Sequence, residues 1–236
     1  MELWDETPTA AQAAVGVSVC GAPPEIRIVL ETEERARLVV DLLTELPATV
    51  AGSVALLRGS LAKGRADSYS DIDLFWEIPD TDFSAAIAEL PVTLERVRPV
   101  ASLRFDPDFQ HSAKRRLAFI RFAGVPLFWR VDLDIFAQSI GRDADYDRDN
   151  PSARGTAWTI TESSLANAIA AIKAQRRGRD TEAAELLARA EARVGLASPE
   201  VDLRSRIGLL LDAVAAEDPT TASLAAKIRH LVTEMT

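Results

Sequence analysis

The run Gly59-Ser60-Leu61-Ala62-Lys63-Gly64-Arg65-Ala66-Asp67-Ser68-Tyr69-Ser70-Asp71-Ile72-Asp73 places a glycine-bearing turn shortly ahead of two carboxylates. An apolar run, Val54 to Leu57, leads into the turn, and Ile72, Leu74 and Trp76 form the apolar side of a second strand. Side chains alternate across a strand, so Asp71 and Asp73 are aimed together, away from that side. Carboxylates on an otherwise apolar strand are expensive to bury without a partner. A turn followed by such a pair points to a metal-dependent phosphoryl-transfer site.

The residue types suit that chemistry. Mg²⁺ prefers oxygen ligands and is usually held by one or two carboxylates together with substrate phosphates, a role that Asp71 and Asp73 fit. Two such ions would need a third, shared carboxylate. Gly59 permits close backbone approach, and successive N–H groups around Gly59-Ser60, with the Ser60 hydroxyl, suit phosphate oxygens. Lys63 and Arg65 add candidate cationic contacts. Taken separately, Gly-Ser is an ordinary turn and Asp-Ile-Asp an ordinary strand end; the combination carries the reading.

The segment Arg58-Gly59-Ser60 through Asp71-Ile72-Asp73-Leu74 resembles the signature of the DNA polymerase β-like nucleotidyltransferase superfamily, Gly-Ser, a spacer, then Asp-hydrophobic-Asp. Its Gly64-to-Asp73 portion resembles the compact bacterial branch, which includes the antibiotic (aminoglycoside- and lincosamide-type) and minimal nucleotidyltransferases. The resemblance covers a small part of the 236 residues. It implies an α/β (α+β) mixed sheet with flanking helices, with Asp71 and Asp73 as catalytic metal ligands. Gly59, Ser60, Lys63, Arg65 and Ser70 would then hold the nucleoside triphosphate, with ATP the expected donor and two Mg²⁺ ions the expected metals.

The resemblance also implies a third carboxylate on a neighbouring strand, and Trp129-Arg130-Val131-Asp132-Leu133-Asp134-Ile135-Phe136 offers it. Asp132 is assigned to complete the metal site or to take the acceptor's proton, with Asp134 as the fallback. A general base must reach the acceptor hydroxyl directly or through one water.

Composition bounds the rest. The chain has 47% hydrophobic and 27% charged residues, ordinary for a globular protein and long enough for two modest domains. Residues 10–22 are apolar, but Glu2, Asp5 and Glu6 precede them where a secretory signal carries positive charge. The single cysteine, Cys20, excludes an intramolecular disulfide and reads as a small hydrophobe in a reducing compartment. Cytoplasmic location without a membrane partner is the expectation. Net charge is −9, which works against counterion displacement from nucleic acid and favours a cationic small-molecule hydroxyl acceptor such as an aminoglycoside. The alternatives are a protein-directed nucleotidyltransferase of the antitoxin type, with a protein partner, and a non-catalytic nucleotide-binding module. A fused helical toxin would carry Arg followed by His, and His111 and His230 give no such spacing.

Periodicity predicts a helix over 32–46 ending before Pro47, strands at 53–58 and 71–77, and a short helix at 82–90. Strands are then expected at 92–97, 100–105, 117–122 and 127–136, the last two joined by a hairpin loop over 123–126. This gives a catalytic domain over 1–140. Residues 141–155 form a polar linker whose Asp143, Asp145, Asp147 and Asp149 suggest a calcium loop, but Arg148 and Arg154 stand where Gly and Glu are required. Over 156–236 four helices are expected, forming a bundle. Trp158, Leu165, Ile169 and Ile172 make one stripe, Asp180 opens the second helix, and Ser198-Pro199 and Asp218-Pro219 mark further starts. Glu162, Glu185, Trp129, Trp158 and Tyr146 are candidate acceptor contacts. Lys114-Arg115-Arg116 and Arg176-Arg177-Gly178-Arg179 are the short basic patches, the latter resembling a helix end.

Overall fold

The computed structural model describes residues 24–140, 159–197 and 201–235, with side chains from residue 32 onward. The readings on residues 10–22, Cys20, the 141–155 linker, Tyr146, Trp158 and Ser198-Pro199 lie outside the described residues.

Within the described residues the first element is helix α1 (Pro24–Thr49), followed by β1 (Val54–Leu57), a single helical turn α2 (Gly59–Ala62), β2 (Ile72–Ile78) and α3 (Phe83–Val97). Strands β3 (Val100–Phe105), β4 (Arg115–Phe122) and β5 (Val131–Ala137) complete one mixed sheet in the order β1-β2-β5-β4-β3. Among the described strand pairs only β2–β5 is parallel.

Strict alternation builds the central strands. Ile72, Leu74, Trp76 and Ile78 of β2, and Val131, Leu133, Ile135 and Ala137 of β5, are all buried on one face. That face packs under Leu38, Leu42 and Leu46 of α1 and Phe83, Leu90 and Leu94 of α3. The intervening residues of both strands stay half-buried on the opposite face, where the aspartates stand.

Helices α4 (Ile160–Arg176), α5 (Asp180–Arg193), α6 (Leu203–Glu217) and α7 (Ala222–Thr233) follow and pack on one another. Asp202 caps α6, its carboxylate accepting from the Ser205 N–H at 3.0 Å. Asp218 opens a 3₁₀ turn over Pro219–Thr221 that runs into α7. Buried apolar side chains form one contiguous cluster from α1 through the sheet to α7. Among the described residues no helix is long and apolar enough to cross a membrane.

Several local expectations are corrected. Helix α1 continues through Pro47 to Thr49. Proline there removes one ladder hydrogen bond, and the burial of Leu46 and Val50 holds the last turn on the core. The expected strand over 92–97 is the second half of α3, which passes through Pro91. Leu90 and Leu94 are buried while Val92 is exposed, which is helical spacing, and a short apolar run does not distinguish the two periods. Strand β5 starts at Val131, because Leu127–Arg130 belongs to the turn, where the Trp129 N–H donates to the Pro126 carbonyl at 2.9 Å.

Candidate active site

The strand register sets a row of side chains. Asp73 of β2 lies opposite Asp132 of β5, Asp132 opposite Phe119 of β4, and Phe119 opposite Arg104 of β3. The half-buried face of four adjacent strands thus carries Asp73, Asp132, Phe119 and Arg104 in line. Asp71 sits just before β2, and Asp134 lies one repeat further along β5, opposite Phe75.

The turn before β2 is bound to this row. The Arg58 N–H donates to the Asp73 carbonyl at 2.8 Å, and the chain reverses at Gly59 with φ of 66°. A Cβ at Gly59 would lie 1.9 Å from Asp73 Oδ2. Only glycine accepts both that backbone conformation and that approach. The backbone at Gly59-Ser60 therefore lies directly against the Asp73 carboxylate.

Charges interlock around the row. Lys173, buried on α4, donates to Asp71 Oδ1. Arg130 forks onto both oxygens of Asp132 at 2.5 and 2.6 Å. Arg115 reaches Asp134 at 3.3 Å, and Arg58 approaches it at 3.5 Å. Burial, and then the negative charge of Asp71, push the Asp73 carboxyl above its ordinary value. Burial likewise raises Asp132, with Arg130 opposing it. The Lys173 ammonium is lowered by burial, although Asp71 pulls it the other way. Helix α4 also holds the spacer loop, as Arg177 donates to both Asp67 oxygens at 2.7 Å and keeps that carboxyl far below the usual range.

The remaining anticipated residues are dispersed. Ser60 lies in α2 beside Gly59, whereas Lys63 and Arg65 are exposed, and among the described residues no polar contact joins their side chains to the carboxylates. Ser70 is buried, and its hydroxyl donates to Asp67 Oδ1 at 2.8 Å, which closes the spacer loop. Glu162 pairs with Arg104 at 3.3 Å, and Trp129 donates to the Ser68 carbonyl at 3.2 Å.

Sequence reasoning missed Lys173, Arg130, Arg104 and Arg121. A signal existed for Lys173: it continues the helical stripe Leu165, Ile169 at four-residue spacing, a charged residue on an apolar line. Arg130 stood in the quoted β5 segment beside Asp132 and was passed over.

A hard divalent cation requires oxygen ligands. Asp71 and Asp73 supply them, and the repulsion that raises Asp73 is one a cation relieves. Both Asp132 oxygens face Arg130, and among the described residues no three Asp, Glu, His or Cys side chains converge as a ligand cluster. The donor set fits a cation on the Asp71–Asp73 pair in place of the Lys173 ammonium, with Asp132 held by Arg130.

No protein family and no curated protein sequence matches this chain. Among solved structures, a cytoplasmic RNA terminal U-transferase shares 20% identity over 61% of this chain and 37% of its own, with a TM-score of 0.34. A complex of the non-canonical poly(A) polymerase GLD-2 with GLD-3 shares 20% over 49% and 35%, with a TM-score of 0.30. A GLD-2/RNP-8 complex shares 17% over 70% and 54%, with a TM-score of 0.33. The chain thus spans about a third to a half of the length of those proteins.

The names of these neighbours specify RNA and poly(A), which corrects the expectation of a small-molecule acceptor with nucleic acid excluded. The physical error lay in using net charge. A value of −9 is a whole-chain sum, whereas around the carboxylate row Arg58 and Arg115 pair with Asp134, Arg104 with Glu162 and Arg130 with Asp132, so the site does not present the chain's net negative charge. Local potential follows the local arrangement.

Proposed function

We propose that this chain is a metal-dependent nucleotidyltransferase that moves a nucleoside monophosphate from a nucleoside triphosphate to an acceptor hydroxyl. The observation that carries the reading is Gly59 lying against the Asp73 carboxylate. That contact brings backbone N–H groups suited to phosphate oxygens beside a carboxylate suited to a cation.

In this reading Asp71 and Asp73 hold a divalent cation, Mg²⁺ in the first instance, which neutralises charge on the triphosphate and the leaving group when bound. Gly59 and Ser60 orient the triphosphate. The acceptor oxygen attacks the α-phosphorus, the new P–O bond replaces the bond to the β-phosphate, and pyrophosphate leaves. Asp132, raised by burial, is suited to take the acceptor's proton, and Arg130 fixes its orientation. Residues 1–140 supply the chemistry, and the helices within 156–236 close the site, Lys173 balancing the charge of Asp71 until the cation takes its place.

The test incubates the purified protein with Mg²⁺, each of the four nucleoside triphosphates in turn, an oligoribonucleotide and a panel of hydroxyl compounds. Mass spectrometry then follows addition of one nucleotidyl unit, and a coupled assay follows pyrophosphate. Transfer by the wild type that disappears in Asp71→Asn and Asp73→Asn is the expected result. Equal activity in both variants, or no pyrophosphate with any combination, removes the reading.

A further inference from the structure

A cavity of about 650 Å³ opens beyond the carboxylate row, between the β3–β4 edge and α7, lined in part by Arg121, Trp129, Arg130, Glu162, Lys227 and His230. This is within the usual range for a small-ligand site.

Arg121 is the anomaly there. Its side chain is buried, its Nε has no hydrogen-bond partner, and among the described residues it makes no ion pair. The nearby carboxylates are already engaged, Glu162 with Arg104 and Asp132 with Arg130. A buried charge without a partner is costly, and proteins rarely keep one without a use. Burial, together with Arg130 and Arg104, lowers Arg121 to about 10, which leaves it protonated at neutral pH. Lys227, exposed on α7, extends the positive lining outward.

We propose that this cavity is an anion site that takes a phosphate ester carried by the acceptor, with Arg121 as its buried anchor. The guanidinium fork matches phosphate geometry. Position argues for the acceptor over the donor. The Gly59-Ser60 turn lies at the β1–β2 side of the sheet, the cavity lies at the β4–β3 side, and Asp73 and Asp132 stand between them. A molecule anchored at Arg121 approaches Asp132 from the side opposite the triphosphate, as in-line attack requires. The assignment to an acceptor rests on the nucleotidyltransferase reading; anion binding itself does not.

The test uses the whole protein at low salt, without nucleotide or metal. Ribose 5-phosphate, ribose and a short oligoribonucleotide are each titrated calorimetrically into the wild type, Arg121→Gln, Arg121→Lys, Lys227→Ala and Asp73→Asn. Phosphate-bearing probes should bind the wild type and ribose should not. Arg121→Gln should weaken binding by about tenfold or more, the loss of one charge-assisted contact. Arg121→Lys should be intermediate, and Lys227→Ala should weaken binding a few-fold. Asp73→Asn should bind like the wild type while losing transfer, so failure of the transferase reading leaves this result intact. Ribose 5-phosphate binding alone supports a small phosphorylated acceptor, and oligoribonucleotide binding alone supports a nucleic-acid backbone. A melting temperature for Arg121→Gln well below that of the wild type would assign the arginine to the fold and overturn the proposal. So would equal affinity of Arg121→Gln and wild type, or no binding of either phosphate probe.

Discussion

The α-carbon of Gly59 and the carboxylate of Asp73 are in such close approach that no side chain fits between them, and a Cβ there would lie 1.9 Å from Oδ2. Turn and strand are thereby fixed to each other at the point where charge is concentrated.

Gly59→Ala tests that relationship. The positive φ alone costs about 1–2 kcal/mol for a residue with a Cβ, and Asp73 must also turn away. The free energy of unfolding should fall by at least that amount, and transfer should fall by about a hundredfold or more, as expected when a group stabilising transition-state charge is misplaced. Normal activity with only a lowered melting point would separate the turn from the chemistry.

Asp73 is raised above the ordinary carboxylate value of 3.8, by burial and then by Asp71. The native state therefore binds its proton more readily than the unfolded chain, and stability falls as pH rises from 3.8 through the native value. Asp73→Asn should be more stable than the metal-free wild type at neutral pH. That advantage should shrink on acidification and vanish below 3.8, measured by denaturant unfolding across pH.

Lys173→Met removes the ammonium that faces Asp71. The loss should be about 1–2 kcal/mol, below the usual figure for a broken buried pair because 32% of the Asp71 side chain is exposed. Added Mg²⁺ should restore part of the melting temperature in this variant. No response to Mg²⁺ in either protein would count against a cation on Asp71 and Asp73.

Arg177→Ala breaks the fork onto Asp67, a pair whose side chains are 25% and 44% exposed. Less than about 1 kcal/mol should be lost at pH 7. Asp67 is lowered in the native state, so its contribution is full above 3.8 and disappears as pH falls below it. The variant should differ from the wild type at neutral pH and converge with it in acid.

The carboxylate strands were legible because Ile72, Leu74 and Trp76, and then Val131, Leu133 and Ile135, alternate without interruption. The turn was legible as glycine chemistry, although not as a helical turn. Residues 92–97 misled because Val92 and Leu94 satisfy a two-residue period while Leu90 and Leu94 satisfy a helical one, and Pro91 hid the continuity. Ser70 misled differently, since its hydroxyl closes the Asp67 loop. The arginines of the site come from the turn after β1, from β3 and β4, and from the turn before β5, far apart in sequence. Their convergence follows from the sheet order, which no local pattern encodes.

The salt link from Lys173 to Asp71 joins positions 102 residues apart. A fragment ending after β5 would keep Asp71, Asp73, Asp132 and Asp134 and still lack the ammonium that offsets Asp71. Grafting the sheet onto a different set of helices would reproduce the motif without its counter-charge, so exchangeability between such halves is limited by one lysine on α4.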